Sequence, residues 1–172
     1  MQQLYLTGPH ASTLAEQLFA ALNVRPAGYQ LTPFSVGGSI RGEALHLLLA
    51  PAAPMDNDVP CRIRLRSGDW TVVPRVLDEI AAPNLLRAIT VHTPILLDGL
   101  TAGMLTCAAF REAVVAVLTS DRPVIVAASE DAEEILRALT PEASQMWMPV
   151  PATEAGRAQL LETLIAEAAM RL

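Results

Sequence analysis

Gly8, Ser12 and Thr13 stand where a chain could hold phosphate. Leu4-Tyr5-Leu6 is a short apolar run, Thr7-Gly8-Pro9-His10-Ala11-Ser12-Thr13 follows it, and a helical repeat starts at Leu14. Strand, glycine turn and helix in that order make a phosphate-binding loop when the turn reads Gly, four residues, Gly, Lys, Ser or Thr. The chemistry needs successive backbone N–H groups wrapped around the phosphates and a Lys that neutralises charge at the β and γ positions. Here the stretch from Gly8 to Thr13 is two residues short, lacks the second Gly and the Lys, and includes Pro9, which has no N–H. All 12 basic side chains are Arg. No Lys can therefore be borrowed, and Schiff-base or lysine general-base chemistry is excluded. His10 could replace the Lys only as its imidazolium, and it reads as an exposed turn residue. Thr13-Leu14-Ala15-Glu16 also fits a capping box, with Thr13 capping the helix and Glu16 reaching back. Capping is the preferred reading of this segment, and residues 8–13 are expected to form a turn too tight for a phosphate.

The other candidate is Asp98, which ends the apolar run Pro94-Ile95-Leu96-Leu97. An acid at the C-terminal edge of a buried parallel strand can cap the turn that follows or face a ligand. Asp98 is expected to lie near Thr13 across the top of the sheet. Arg62, Arg64 and Arg66 alternate with Ile63 and Leu65, so they share one strand face; they could make an anion site, but an exposed face paired with nearby acids is the preferred reading. His46 and His92 have no further ligand at metal spacing, and His92 suits a helix C-terminus. Cys61 and Cys107 have neither disulfide-framework nor zinc spacing, and Cys107 reads as a small core residue within a helix. No Ser-His-acid or Cys-His signature is visible.

These residues are positioned by an alternation of strands and helices. Helices are expected at 13–22, at 74–92 with a division at Pro83, at 105–118, from Ser129 onward and at 154–171. Strands are expected at 4–6, 29–36, 44–49, 62–66, 70–73, 94–98, 124–128 and 146–148, with Pro51–Pro60 a loop. The pair 29–36 and 44–49 flanks Gly37, Gly38 and Gly42 as a hairpin. Buried strands alternating with helices imply a parallel sheet covered on both faces. The chain has 172 residues, 52% of them hydrophobic and 17% charged, which fits a single domain over 1–172 and argues against disorder. A net charge of −6 disfavours nucleic acid or anionic membrane as partner. No apolar stretch approaches the ~20 residues of a membrane span. Met1-Gln2-Gln3 lacks a charged leader pattern, so a cytoplasmic location is expected.

In order and motif, the chain resembles the small nucleoside-triphosphatase family of P-loop proteins known from thermophiles. The likeness runs from the loop at Gly8 through Gly28-Tyr29 and the hairpin to Gly42. It continues through Ala81, Pro83, Leu85, Arg87 and Ala88, the strand Ile95–Asp98, and Phe110-Arg111-Glu112 leading to Val124–Ala128. The resemblance implies an α/β, P-loop NTPase-like fold: a parallel-dominated sheet with helices on both faces and an antiparallel hairpin insertion. It implies nucleotide contacts at Gly8, Ser12 and Thr13 and a metal site at Thr13 and Asp98. The family resembles Gly-x-x-Gly-x-Gly-Lys-Thr-Thr at its loop and Asp-Glu followed by a second Glu at its acidic strand. This chain has Gly99 and Met104 at the two acidic positions. The expectation is a degenerate, catalytically inactive member serving as a ligand-binding or protein-interaction module, with the partner protein unspecified. The alternative is an active hydrolase or kinase using Mg²⁺ and ATP or GTP, with Arg41, Arg87 or Arg111 swung in for the Lys. A third reading is a small-ligand binder at the strands' C-terminal edge.

Overall fold

A computed structural model describes residues 3–49, 53–141 and 145–169. Residues 50–52, at the start of the expected 51–60 loop, and the end of the expected 154–171 helix lie outside them. Among the described residues eight strands join one sheet, in the order β5-β4-β3-β2-β6-β7-β1-β8. The half holding β6 (Ile95–Leu100), β7 (Val124–Ala128), β1 (Gln3–Thr7) and β8 (Gln145–Pro149) is parallel. The other half is antiparallel: β2 (Ala27–Val36), β3 (Ser39–Leu47), β4 (Val59–Arg64) and β5 (Trp70–Val72). β2 belongs to both, because Ala27–Tyr29 pair parallel with β6 before the strand runs on into the hairpin.

Alternation along the central strands builds a core on each face. Leu4 and Leu6 of β1, with Leu96 of β6 and Ala127 of β7, meet α1 (Ala11–Ala21) and α6 (Glu154–Ala169) through Leu14, Leu18 and Leu164. Tyr5, Ile95, Leu97, Val124 and Val126 face the other way. There they pack against α3 (Ala82–Ala88), α4 (Ala108–Leu118) and α5 (Glu130–Leu139) through Leu85, Phe110, Val114 and Leu136. The Tyr5 ring also stacks on Trp147 with centroids 4.2 Å apart.

The expected division at Pro83 takes another form. α2 (Pro74–Val76) runs through a π-helical turn at Leu77–Ala81 into α3, and Pro83 falls in the first positions of α3. Proline has no N–H to give to the carbonyl four residues back, and the wider turn just before it absorbs the misfit without breaking the helix. The helix also ends at Ala88, so His92 lies beyond it, where its Nδ1 meets Arg122 Nη1 at 2.8 Å. Cys107 stands just before α4 rather than inside it, and it is buried.

The expected helix start at Thr13 is wrong by two residues. α1 begins at Ala11 with His10 before it, and no side chain caps it. Thr13 is therefore the third helical residue and exposed, while Glu16 accepts a hydrogen bond from Gln30 Nε2 at 2.7 Å. The capping box does not form because the buried stripe starts at Ala11 and runs through Leu14, Ala15 and Leu18. Burying that stripe against the sheet fixes where the helix starts.

Candidate functional site

The parallel strands β1, β6 and β7 all end at one cavity of about 410 Å³. The turn after β1 contributes Gly8, Pro9, Ala11 and Ser12. Gly99 and Thr101 come from the end of β6, and Ala127 to Glu130 from the end of β7 and the start of α5. Arg62 reaches the cavity from β4. This is the usual location of ligands in open α/β sheets.

The glycine turn is tight. Gly8 has φ +101°, and Ala11 N–H donates to the Gly8 carbonyl at 3.1 Å, closing the turn on itself. Ser12 lines the cavity and is half-buried, whereas Thr13 points to solvent and is not part of the lining. One helical residue turns the direction by about 100°, so shifting the start of α1 exchanges the two hydroxyls. His10 is half-buried rather than exposed.

Asp98 is 1% exposed and lies beneath the cavity instead of in its wall. Two residues of β6, Asp98 and Gly99, stand opposite the single residue Ala127 of β7, and this bulge takes Asp98 out of register. Its Oδ2 accepts the N–H of Leu31 at 2.8 Å, just past the point where β2 stops pairing with β6. Asp98 thus closes a gap between two diverging strands. Its Oδ1 has no hydrogen-bond partner among the described residues. Burial raises the Asp98 carboxyl above its ordinary value, against smaller opposing effects from the N–H of Leu31, the Ser12 hydroxyl and the N–H of Gly99. The expected neighbour across the sheet top is therefore Ser12 and not Thr13. The Ser12 hydroxyl is near enough to favour the carboxylate, but it falls outside hydrogen-bond geometry at Oδ1.

Arg62 corrects the expectation of three exposed arginines. Arg64 and Arg66 are exposed, but the Arg62 side chain is only 16% exposed. β4 places it directly opposite Glu43 of β3, and its Nη1 donates to Glu43 Oε2 at 2.8 Å. Its guanidinium lies 4.9 Å from the centre of the Trp70 ring. Burial raises the Glu43 carboxyl, Arg62 counters that, and Asp98 adds to it. The Tyr29 hydroxyl, fully buried and without a hydrogen-bond partner among the described residues, is pushed up by burial first and then by Asp98 and Cys61. The alternating run 62–66 was the only sign of Arg62 in the sequence, and it could not say which arginine faces inward. Arg41, Arg87 and Arg111 do not line the cavity.

The turn spends a backbone N–H on itself, and Thr13 points away. Asp98 is sealed below the cavity with one oxygen committed to Leu31. Among the described residues no group of three His, Cys, Asp or Glu side chains is arranged to hold a metal ion, and His46 is engaged with Asp58 at 2.9 Å.

No family model and no curated protein matches the sequence. Two solved structures match nearly the whole chain. THEP1 from the hyperthermophile Aquifex aeolicus superposes with TM-score 0.70 at 15% identity, over 96% of this chain and 98% of its own. A human cancer-related nucleoside triphosphatase, solved in solution, superposes with TM-score 0.67 at 18% identity, over 98% of this chain and 97% of its own. At such identities the likeness shows architecture: the chain has an α/β, P-loop NTPase-like fold, with a mostly parallel sheet between helices.

Proposed function

We propose that the chain is a degenerate nucleoside-triphosphatase-like protein that binds a small ligand at the end of β1, β6 and β7 and does not hydrolyse nucleotides. One observation carries this reading. The cavity at the phosphate position is present, but the turn beneath it is closed by its own hydrogen bond, and the cation on its wall, Arg62, is already paired with Glu43. Hydrolysis needs charge neutralisation at the β and γ phosphates and a group that orients water. Losing one preorganised charge contact costs about 3–4 kcal/mol of transition-state stabilisation, and this chain lacks two. A cytoplasmic role with a protein partner is part of the proposal; no helix among the described residues is long and apolar enough to cross a membrane.

The second reading, an active hydrolase or kinase using Mg²⁺ with ATP or GTP, is favoured only by Arg62 standing at the cavity. Phosphate release from ATP and GTP, with and without Mg²⁺, separates the two. The expected result is no release above a buffer blank. Release that survives extensive purification and falls on Asp98→Asn overturns the non-hydrolysing reading. Thermal shift in the same series reports binding, since a ligand at a hundredfold excess over its Kd adds about 2.7 kcal/mol.

A further inference from the structure

We propose that Arg62 is the anion-binding group of this cavity and that Glu43 is its built-in competitor, so that a compact oxyanion enters only by displacing the Glu43 carboxylate. The inference rests on the ligand-binding reading above and names the chemistry of the ligand. Arg62 has five N–H donors in a planar fork, and among the described residues one of them is engaged, with Glu43. The guanidinium lies over the Trp70 ring, an attraction that favours this position of the group. Cross-strand register holds Arg62 and Glu43 opposite each other, so the pair is built into the sheet.

The same cavity receives the start of α1, an eleven-residue helix whose first-turn N–H groups have no side-chain cap. Its partial positive charge and Arg62 thus meet in one space, with Ser12, Thr101 and Ser129 in the lining, although the Ser129 hydroxyl is engaged with the Leu100 carbonyl and Asp131 and the Thr101 hydroxyl with the Met104 N–H. Acids oppose them: Glu130 is in the lining, Asp98 lies below, and Glu43 is on Arg62 itself. The balance selects a small anion such as sulfate or a phosphate group over a triphosphate. An anion of that size can take the place of one carboxylate on the fork, whereas a longer chain of charges would run against Glu130 and the closed Gly8 turn.

Calorimetric titration with sulfate at low ionic strength tests the idea on the wild type, Glu43→Gln, Arg62→Gln and the double variant. Glu43→Gln removes the competing charge and is expected to bind sulfate at least about tenfold more tightly than wild type. Arg62→Gln and the double variant are expected to show no saturable binding. Glu43→Asp withdraws the carboxylate by one methylene and should tighten binding in the same direction, which keeps the test open if the Gln variant does not fold. Sulfate affinity unchanged by both Glu43 variants overturns the proposal, as does tightening that persists without Arg62. Phosphate release by the wild type would overturn the non-hydrolysing reading and leave the sulfate result standing. Failure of the sulfate series removes Arg62 from the site and leaves the cavity to an uncharged ligand.

Discussion

Replacing Asp98 by Asn and by Ala separates the two things its carboxyl does. Oδ2 accepts the N–H of Leu31 at 2.8 Å, and the residue is 1% exposed. Asn keeps an acceptor for that N–H and turns its amide toward the Ser12 hydroxyl, whereas Ala leaves the donor without a partner. An unpaired buried donor costs about 1–3 kcal/mol, and because Leu31 is only half-buried the lower part of that range, about 1–2 kcal/mol, applies. At about 2–4 °C per kcal/mol for a chain of this size, the Ala variant should melt about 2–8 °C below the Asn variant. The sign against wild type follows from linkage. Burial holds the Asp98 carboxyl above its unfolded value, so between the two values the folded chain binds the extra proton. The stability from this group is full below the unfolded value and is lost as pH rises through the folded one. Above the unfolded value burial of this carboxyl therefore costs the wild type stability, and at neutral pH Asp98→Asn should be the more stable protein. Its stability should also fall less steeply with pH, with Glu43, raised in the same way, supplying the decline that remains. Urea titrations of all three proteins at mildly acidic and neutral pH are the assay. An Asn variant no more stable than the Ala variant refutes the role given to Leu31, and one less stable than wild type at neutral pH refutes the desolvation argument.

Gly28 has φ +97°, and a Cβ there would sit 2.1 Å from the carbonyl oxygen of Leu96, so Gly28→Ala should destabilise by more than about 2 kcal/mol in urea denaturation. Thr13→Ala should change stability by less than about 0.5 kcal/mol, because Thr13 is exposed. Ser12→Ala should move the Asp98 titration, followed by carboxyl NMR, further upward, while Thr13→Ala leaves it in place. Trp147→Leu removes the ring stacked on Tyr5 and should cost about 0.5–1.5 kcal/mol beyond lost area, measured as a lowered unfolding midpoint.

Much of the architecture was legible because it is written locally. Runs such as Val124–Ala128 and Ile95–Leu97 are apolar on both faces, short and preceded by Pro, which favours a buried strand over a helix. The missing Lys is a fact of composition that no folding can alter, and the chemistry it excludes is excluded at once. The start of α1 was misjudged for a physical reason. A capping box at Thr13 is a local preference of about 1 kcal/mol, and the burial of Ala11, Leu14 and Leu18 against the sheet outweighs it. That two-residue difference decides which hydroxyl, Ser12 or Thr13, meets Asp98. The run 62–66 offered an anion site as its lesser reading but not the arginine that would supply it, since the Glu43 that pairs with Arg62 lies 19 residues away and the two meet only through the register of β3 on β4. Periodicity says that three arginines share a face, but which of them enters the cavity depends on where the strand ends and what lies beyond it. The sequence by itself determined the layers, the strands and the absence of a phosphate-loop lysine, because propensity and composition act within a few residues. Tertiary structure alone decided the site, because register, bulge and burial join residues that no local pattern connects.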